Sequence, residues 1–173
     1  MADDTPPEIT AAKYEAFANG RYHADRESFL DSCSRLITFG ILVTGGLAFF
    51  QIFGDSAQAF GVGAMSVFAL AKLVWSPDSR ARTHNSLRKR YFDLVAQLTE
   101  EAITAKQAQA KMLRMAGEEE PPFCAVHALA ENWASEAVLG KDRPLPCRVK
   151  PILKFSRHIF RYDGIKFVSD RAN

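Results

Sequence analysis

Cysteine is scarce in this sequence. Cys33, Cys124 and Cys147 are scattered, odd in number and never in CxxC spacing. That excludes a disulfide framework and a zinc ribbon, and leaves small buried hydrophobes as the simplest reading of all three. The four histidines, His23, His84, His127 and His158, sit on separate segments with no second ligand or base at metal-site spacing. GxSxG, HExxH and a P-loop are absent, so the sequence supports no catalytic residue, no cofactor and no metal. No recognition motif for nucleic acid is present either. The N-terminal Met1-Ala2-Asp3-Asp4 is acidic and lacks the apolar core of a signal peptide.

Charge is the larger absence, and it is missing from two places. Leu36–Phe53 is a run of 18 residues with none. After Gly54-Asp55-Ser56, the 19 residues Ala57–Trp75 carry one, Lys72. At about 1.5 Å per residue each run makes a helix of roughly 27–29 Å, which matches the roughly 30 Å hydrocarbon core of a bilayer. Eleven Leu, Ile, Phe or Val residues in the first run favour insertion by about 3–7 kcal/mol, ignoring polar residues. Seven in the second contribute about 2–4 kcal/mol, and Lys72 lies near the end beside Trp75, where its stem reaches the headgroups. The pair reads as a transmembrane helical hairpin whose first span is its own uncleaved targeting signal. The rival, a buried hairpin in a soluble protein, fits two adjacent runs of full membrane length less well.

Lys13, Arg21, Arg26 and Arg35 precede the hairpin and Arg80, Arg82, Arg88, Lys89 and Arg90 follow it, while the link holds only Asp55. The positive-inside rule places both termini in the cytoplasm. Small residues recur at four-residue spacing within the runs: Gly40 with Thr44, Ala57 with Gly61, Ala59 with Gly63. Such spacing suits close helix packing, either within one hairpin or between subunits. Gly40, Thr44, Gln51, Ala57, Gly61 and Gly63 are the candidate span-packing or pore-facing positions. Two helices enclose no pore, so conduction requires a homo-oligomer.

The remainder reads as a cytoplasmic helical bundle in an all-α protein. Residues 1–35 hold a helix over about 11–34, interrupted at Asn19-Gly20. Residues 76–116 hold one long helix, with Leu87, Tyr91, Leu94, Leu98, Ala105, Ala108 and Met112 along a coiled-coil-like stripe that packs on the N-terminal helix or on another subunit. Gly117 and Pro121-Pro122 end it, with the acidic triplet Glu118–Glu120 as a solvated turn. Residues 117–140 hold a short helix over 123–139, with Val126, Leu129, Trp133 and Ala137 on one face. Residues 141–173 are a linker and a basic tail.

From Lys141 to the end, nine Lys/Arg stand against three Asp, net +6, so the rest of the +2 chain carries −4. Over 151–162, Ile152, Phe155, Ile159 and Tyr162 line one side of a helix, and Lys154, Arg157, His158 and Arg161 the other. A basic amphipathic helix of this kind reads as a surface-lying membrane anchor, or as a helix packed on the bundle. Lys72, Lys150, Lys154, Arg157 and Arg161 are the candidate lipid-headgroup contacts. Tyr22, His23 and Arg26, with His84 from the other cytoplasmic helix, form a candidate polar collar that satisfies helix ends. Its alternative is a pH or ligand sensor, since His titrates near neutrality.

Tyr22-His23-x-x-Arg26-x-x-Phe29 before the first run, the tight hairpin, and Ser79-Arg80-x-Arg82-x-His84-x-x-Leu87 after it form a familiar series. With Glu119-Glu120-Pro121-Pro122 and the basic-aromatic tail, residues 20–162 resemble the SLATT group of two-span bacterial and phage membrane proteins. The resemblance implies an oligomeric effector or pore-like module in the bacterial inner membrane, acting in a conflict system. This chain carries no sensor domain of the kind that would trigger it. The other reading is a non-conducting scaffold that recruits a cytoplasmic protein through Leu87–Met112 and the Trp133 helix. The partners expected are therefore the lipid bilayer, further copies of the chain and a cytoplasmic protein, and not nucleic acid.

Overall fold

The computed structural model describes residues 6–49, 54–141 and 143–167. Every regular element among them is helical: α1 (Pro7–Phe49), α2 (Asp55–Trp75), α3 (Pro77–Thr99), α4 (Ala105–Ala116), α5 (Cys124–Ala134), a π-helical turn (Ser135–Leu139) and α6 (Pro151–Ser156). The all-α expectation holds for these residues. The chain divides into two compact units, one of Met1–Arg26 with His84–Asn173 and the other of Glu27–Thr83.

In the first unit the core is built on alanine and leucine. Ala12 and Ala16 of α1 pack with Leu87, Tyr91, Leu94 and Leu98 of α3 and with Ala108, Met112 and Met115 of α4. Small residues on α1 let the large ones of α3 lie close. Gly20 extends that logic, because a Cβ there would meet the Phe92 ring at 3.3 Å. The helix runs through Asn19-Gly20 uninterrupted, so the glycine serves an aromatic neighbour and not a break. The Leu87–Met112 stripe packs on the N-terminal helix of its own chain.

Three expected elements differ. The long helix over 76–116 is two helices. Glu101 takes a left-handed conformation (φ 55°), and the Ala102 N–H donates to Gln97 O at 2.9 Å, the six-to-one bond of a Schellman-type stop. Thr104 then caps α4 in a capping box with Gln107. Turning back here lets Ala108, Met112 and Met115 fill the space beside Leu94 and Leu98. Within α5 the buried residues are Ala125, Val126, Ala128, Ala130 and Ala134, and Ser135 follows them, while Trp133 is 51 % exposed, with the Arg21 guanidinium 5.1 Å over its ring. Alanine, not Trp133, makes the packing face.

The tail helix stops at Ser156. A six-residue helix has too few hydrogen bonds to extend unaided, and the chain beyond it has other commitments. The Arg161 carbonyl accepts from Cys124 N at 3.1 Å at the start of α5, and Tyr162 is left-handed (φ 55°). Arg157 and Arg161 are consequently not arrayed on one helical side as expected. The described residues of the expected linker over 141–150 are not free. Asn132 donates to Cys147 O and accepts from Cys147 N, both at 2.9 Å, and Val149 is buried with Phe167 against Ala125 and Ala128.

The second unit holds the apolar runs. Its contacts pair Gly40 with Phe68 and Gly45 with Met65, and Thr38 with Lys72. Their residue numbers sum to nearly the same value, as side-by-side antiparallel helices require. One helix among the described residues is long and apolar enough to cross a membrane; it lies in the stretch Asp55–Thr99, and its apolar window has mean hydropathy 1.5 and is 6 % buried. The first run continues in α1 as far as Phe49. Residues 50–53, with the candidate Gln51, lie outside the described residues.

Leu98 is fully buried and Leu113 is 70 % exposed. Leu98→Ala is expected to cost about 2–5 kcal/mol through transfer and cavity terms, and Leu113→Ala less than about 0.5 kcal/mol. A thermal melt of the purified chain checks both.

Candidate functional site

α1 and α3 carry polar residues beside their shared core, and the chain after α4 brings an acid to them. His23 is buried. Its Nδ1 lies 2.7 Å from Nδ1 of His84, and its Nε2 lies 3.3 Å from Oε1 of Glu119. The Tyr91 hydroxyl donates to the same Glu119 oxygen at 2.6 Å. Two neutral imidazoles facing through Nδ1 require one donor and one acceptor. The network is satisfied when His84 donates from Nδ1 and His23 carries its hydrogen on Nε2, toward Glu119; this tautomer is assigned from the partners. The His23 ring also stacks on Tyr91, with centroids 5.6 Å apart.

Tyr22, next to His23, and Arg26, about one turn on, continue the cluster along α1. Tyr22 accepts from Phe123 N at 3.2 Å, and its ring meets those of His23, His84 and His127 at 5.1, 6.2 and 6.0 Å. Arg26 is buried. Its guanidinium lies 3.8 Å over the Phe123 ring and donates to His158 O at 2.9 Å. The four candidates Tyr22, His23, Arg26 and His84 thus occupy one neighbourhood, together with Tyr91, Glu119, Phe123 and His158.

Electrostatics follow from this packing. Burial pushes the Glu119 carboxyl up, but hydrogen bonds from His23 and Tyr91 outweigh it and leave the group below its ordinary value. Burial, then the hydrogen bond to Glu119, raises Tyr91 and keeps it a donor. Burial also raises Tyr22, against the opposing bond from Phe123. His158 is pushed down to about 3 by burial and by the guanidinium groups of Arg157 and Arg26. It is therefore neutral at physiological pH and accepts from Arg157 Nε at 3.0 Å. Beside the cluster, Arg90 grips Glu118 with two bonds, 2.5 and 3.0 Å long. The acidic triplet is thus a source of specific partners and not only a solvated turn. Glu119 and Tyr91 are members that the sequence reading missed. Tyr91 was counted as core, and an acid in a run of three gives no local sign of which one turns inward.

A second group lines a cleft of about 230 Å³ that includes Cys124, His127, Glu131 and Cys147. The Cys147 thiol donates to Glu131 at 2.8 Å, and His127 Nδ1 is 3.4 Å from the other oxygen of that carboxylate. Burial and then the Glu131 bond push the Cys147 thiol up to about 12, so it is protonated and a poor nucleophile. No group of three or more His, Cys, Asp or Glu among the described residues has the geometry to hold a metal ion.

In the hairpin unit, Lys72 donates to Thr38 at 2.7 Å and lies 3.4 Å from Asp78. Ser34 donates to Asp78. Those bonds, the Ser34 one first, then Lys72, hold Asp78 below its usual range. Thr44 returns its hydroxyl to Gly40 O at 2.6 Å, Gly40 is covered by Phe68, Gly61 is buried, and Ala57 is half-buried. A Cβ at Gly63 would meet nothing within 4 Å. Lys150 and Lys154 are exposed, while Arg157 is half-buried and Arg161 donates to Pro121 O at 3.0 Å. Comparison with protein-family models, curated proteins and solved structures found no match to this chain.

Two of the shifted groups, His158 and Glu119, set an acid response. His158 sits below its usual 6.5, so its stability contribution is intact above that pH and is lost as pH falls toward about 3. Glu119 sits below its ordinary 4.5, so its contribution is present above that pH and is lost as pH falls through the lower folded value. His158→Gln is expected to remove the loss that begins near pH 6.5. Glu119→Gln is expected to cost about 1.5–3 kcal/mol at neutral pH and to flatten the more acidic part. Melting curves across pH check both, and identical profiles for His158→Gln and the parent chain would contradict the assignment.

Proposed function

We propose that the chain is an oligomeric membrane protein whose α1/α2 hairpin spans the bilayer twice, acting as an effector or pore-like module. One observation carries the reading. The antiparallel pair turns its large apolar side chains outward: Leu36, Phe39, Leu42, Phe60, Leu70, Leu73 and Val74 are all exposed. Each is worth about 1.5–3 kcal/mol when removed from water, a strong bias toward lipid or another copy as the surrounding medium. Lys72 poses no barrier to this, because Thr38 and Asp78 meet its ammonium.

Lys/Arg-rich flanks and an Asp55 link support cytoplasmic termini. Bare backbone at Gly46 and Gly63, where a Cβ would touch nothing, supports close approach by another copy. Thr44 and Gly61 serve packing inside the hairpin. The conflict-system role and the bacterial inner membrane rest on the resemblance to the SLATT group. Exposed Leu113 and Trp133 support a second reading, a non-conducting scaffold with a cytoplasmic partner.

A carbonate wash of expressing membranes is expected to leave the chain in the pellet, and its release into the supernatant would refute the hairpin. In dye-loaded liposomes, cross-linked oligomers should form and leak, and Gly63→Leu should reduce both several-fold. Oligomers that hold the dye under every condition would favour the scaffold.

A further inference from the structure

The segment 145–165 is apolar on two sides. Its inward side chains, Val149, Leu153 and Tyr162, pack with Phe167 on Ala125 and Ala128 of α5. Its outward ones are largely bare: Phe155 is 90 % exposed, Ile152 74 %, Ile159 62 % and Phe160, whose ring lies 6.0 Å from that of Tyr162, 58 %. An aromatic residue this bare, beside three more large apolar residues, is not the ordinary surface of a soluble helix unit. The charge around them is one-sided. Between residues 143 and 167 there are seven Lys/Arg and one acid, Asp163, a net of 7 − 1 = +6. The surplus that makes the whole chain +2 lies here.

Charge and shape together select the partner. Aliphatic tips such as Ile152 and Ile159 offer nothing for stacking on bases, and a nucleic acid would leave them wet. An acidic peptide would bind the cations but leave Phe155 uncovered, since Phe155 projects from the surface and does not line a groove. A bilayer with anionic headgroups meets both demands, with phosphates at the level of the ammonium groups and acyl chains just beneath. We propose that this segment is a docking surface for an anionic bilayer, with Ile152 and Phe155 entering the headgroup boundary and Lys150 and Lys154 engaging lipid phosphates. The device is not a long amphipathic helix. It is a one-and-a-half-turn helix, α6, and the turn after it, held from behind by the α5 packing. It stands on residues other than those of the hairpin and goes beyond the hairpin reading.

Trypsin reports on the segment directly, because Lys154, Arg157 and Arg161 are its targets. The full chain is reconstituted in nanodiscs of phosphatidylcholine alone, or of phosphatidylcholine with phosphatidylglycerol at three to one. Cleavage after Lys154 is expected to be about tenfold slower in the anionic discs, and the contrast should shrink in high salt. Phe155→Ser and the double variant Lys150→Glu/Lys154→Glu are each expected to abolish the contrast, with cleavage after Arg161 read in the latter. Their cleavage in neutral discs, unchanged from the parent chain, shows that the segment is still folded.

Equal rates in both lipids would overturn the proposal. So would equal protection in both, which would mean a protein cover, or a contrast indifferent to Phe155→Ser, which would mean charge alone. Carbonate extraction of the same chain tests the hairpin separately. If the chain is released, flotation with phosphatidylglycerol vesicles but not with phosphatidylcholine vesicles still supports the tail, and flotation with neither refutes it.

Discussion

Burial of the Leu87, Tyr91, Leu94 and Leu98 side of α3 against the alanines of α1 is the interaction on which the first unit depends. It sets a short distance between two helices that carry His23 seven residues beyond Ala16 and His84 three residues before Leu87. Without small residues at 12 and 16, the rings would stand too far apart for a 2.7 Å contact. The same packing leaves room for α4 to fold back and for Glu119 to reach His23 and Tyr91. The polar cluster is therefore a consequence of apolar geometry. His23, His84, Tyr91 and Glu119 meet one another through their polar atoms, and in a buried site each such contact is stronger than it would be in water.

The hairpin unit solves a related problem with opposite materials. Its exterior is oily, and Lys72, the cation near the end of the second run, is held between the helices. Lys72, Thr38, Asp78 and Ser34 form a short polar ladder where α1 and α2 meet. A hydroxyl and a carboxylate from neighbouring segments meet the ammonium, so the charge does not oppose an apolar surrounding as an isolated lysine would.

The parts of this molecule legible in the sequence are those fixed by short-range pattern. The two apolar runs announced the antiparallel helix pair, and the spacing from Leu87 to Met112 a shared core. That spacing misled in one respect. Two antiparallel helices facing one core produce nearly the same repeat as a single longer helix, so the stop at Glu101 went unseen although Thr104-x-x-Gln107 signals a capped start. Tyr22, His23, Arg26 and His84 were legible as a set because they flank the runs at helical spacing. Glu119 was not, because its role is decided by a partner 96 positions earlier. The tail was read too long for the same reason, since the bond from Cys124 N to the Arg161 carbonyl is invisible in local sequence.

Ser76 joins α2 to α3 as a single left-handed residue (φ 47°), with its N–H on Lys72 O and its hydroxyl on Leu73 O. That backbone geometry accepts glycine or asparagine far more readily than a β-branched side chain. Length is a stricter matter. Each residue added turns a following helix by about 100°, and one inserted here would swing Asp78 out of line with Ser34 and Lys72. The joint tolerates changes of spelling but not of count, so its frame, more than its letter, is what descent with modification must preserve.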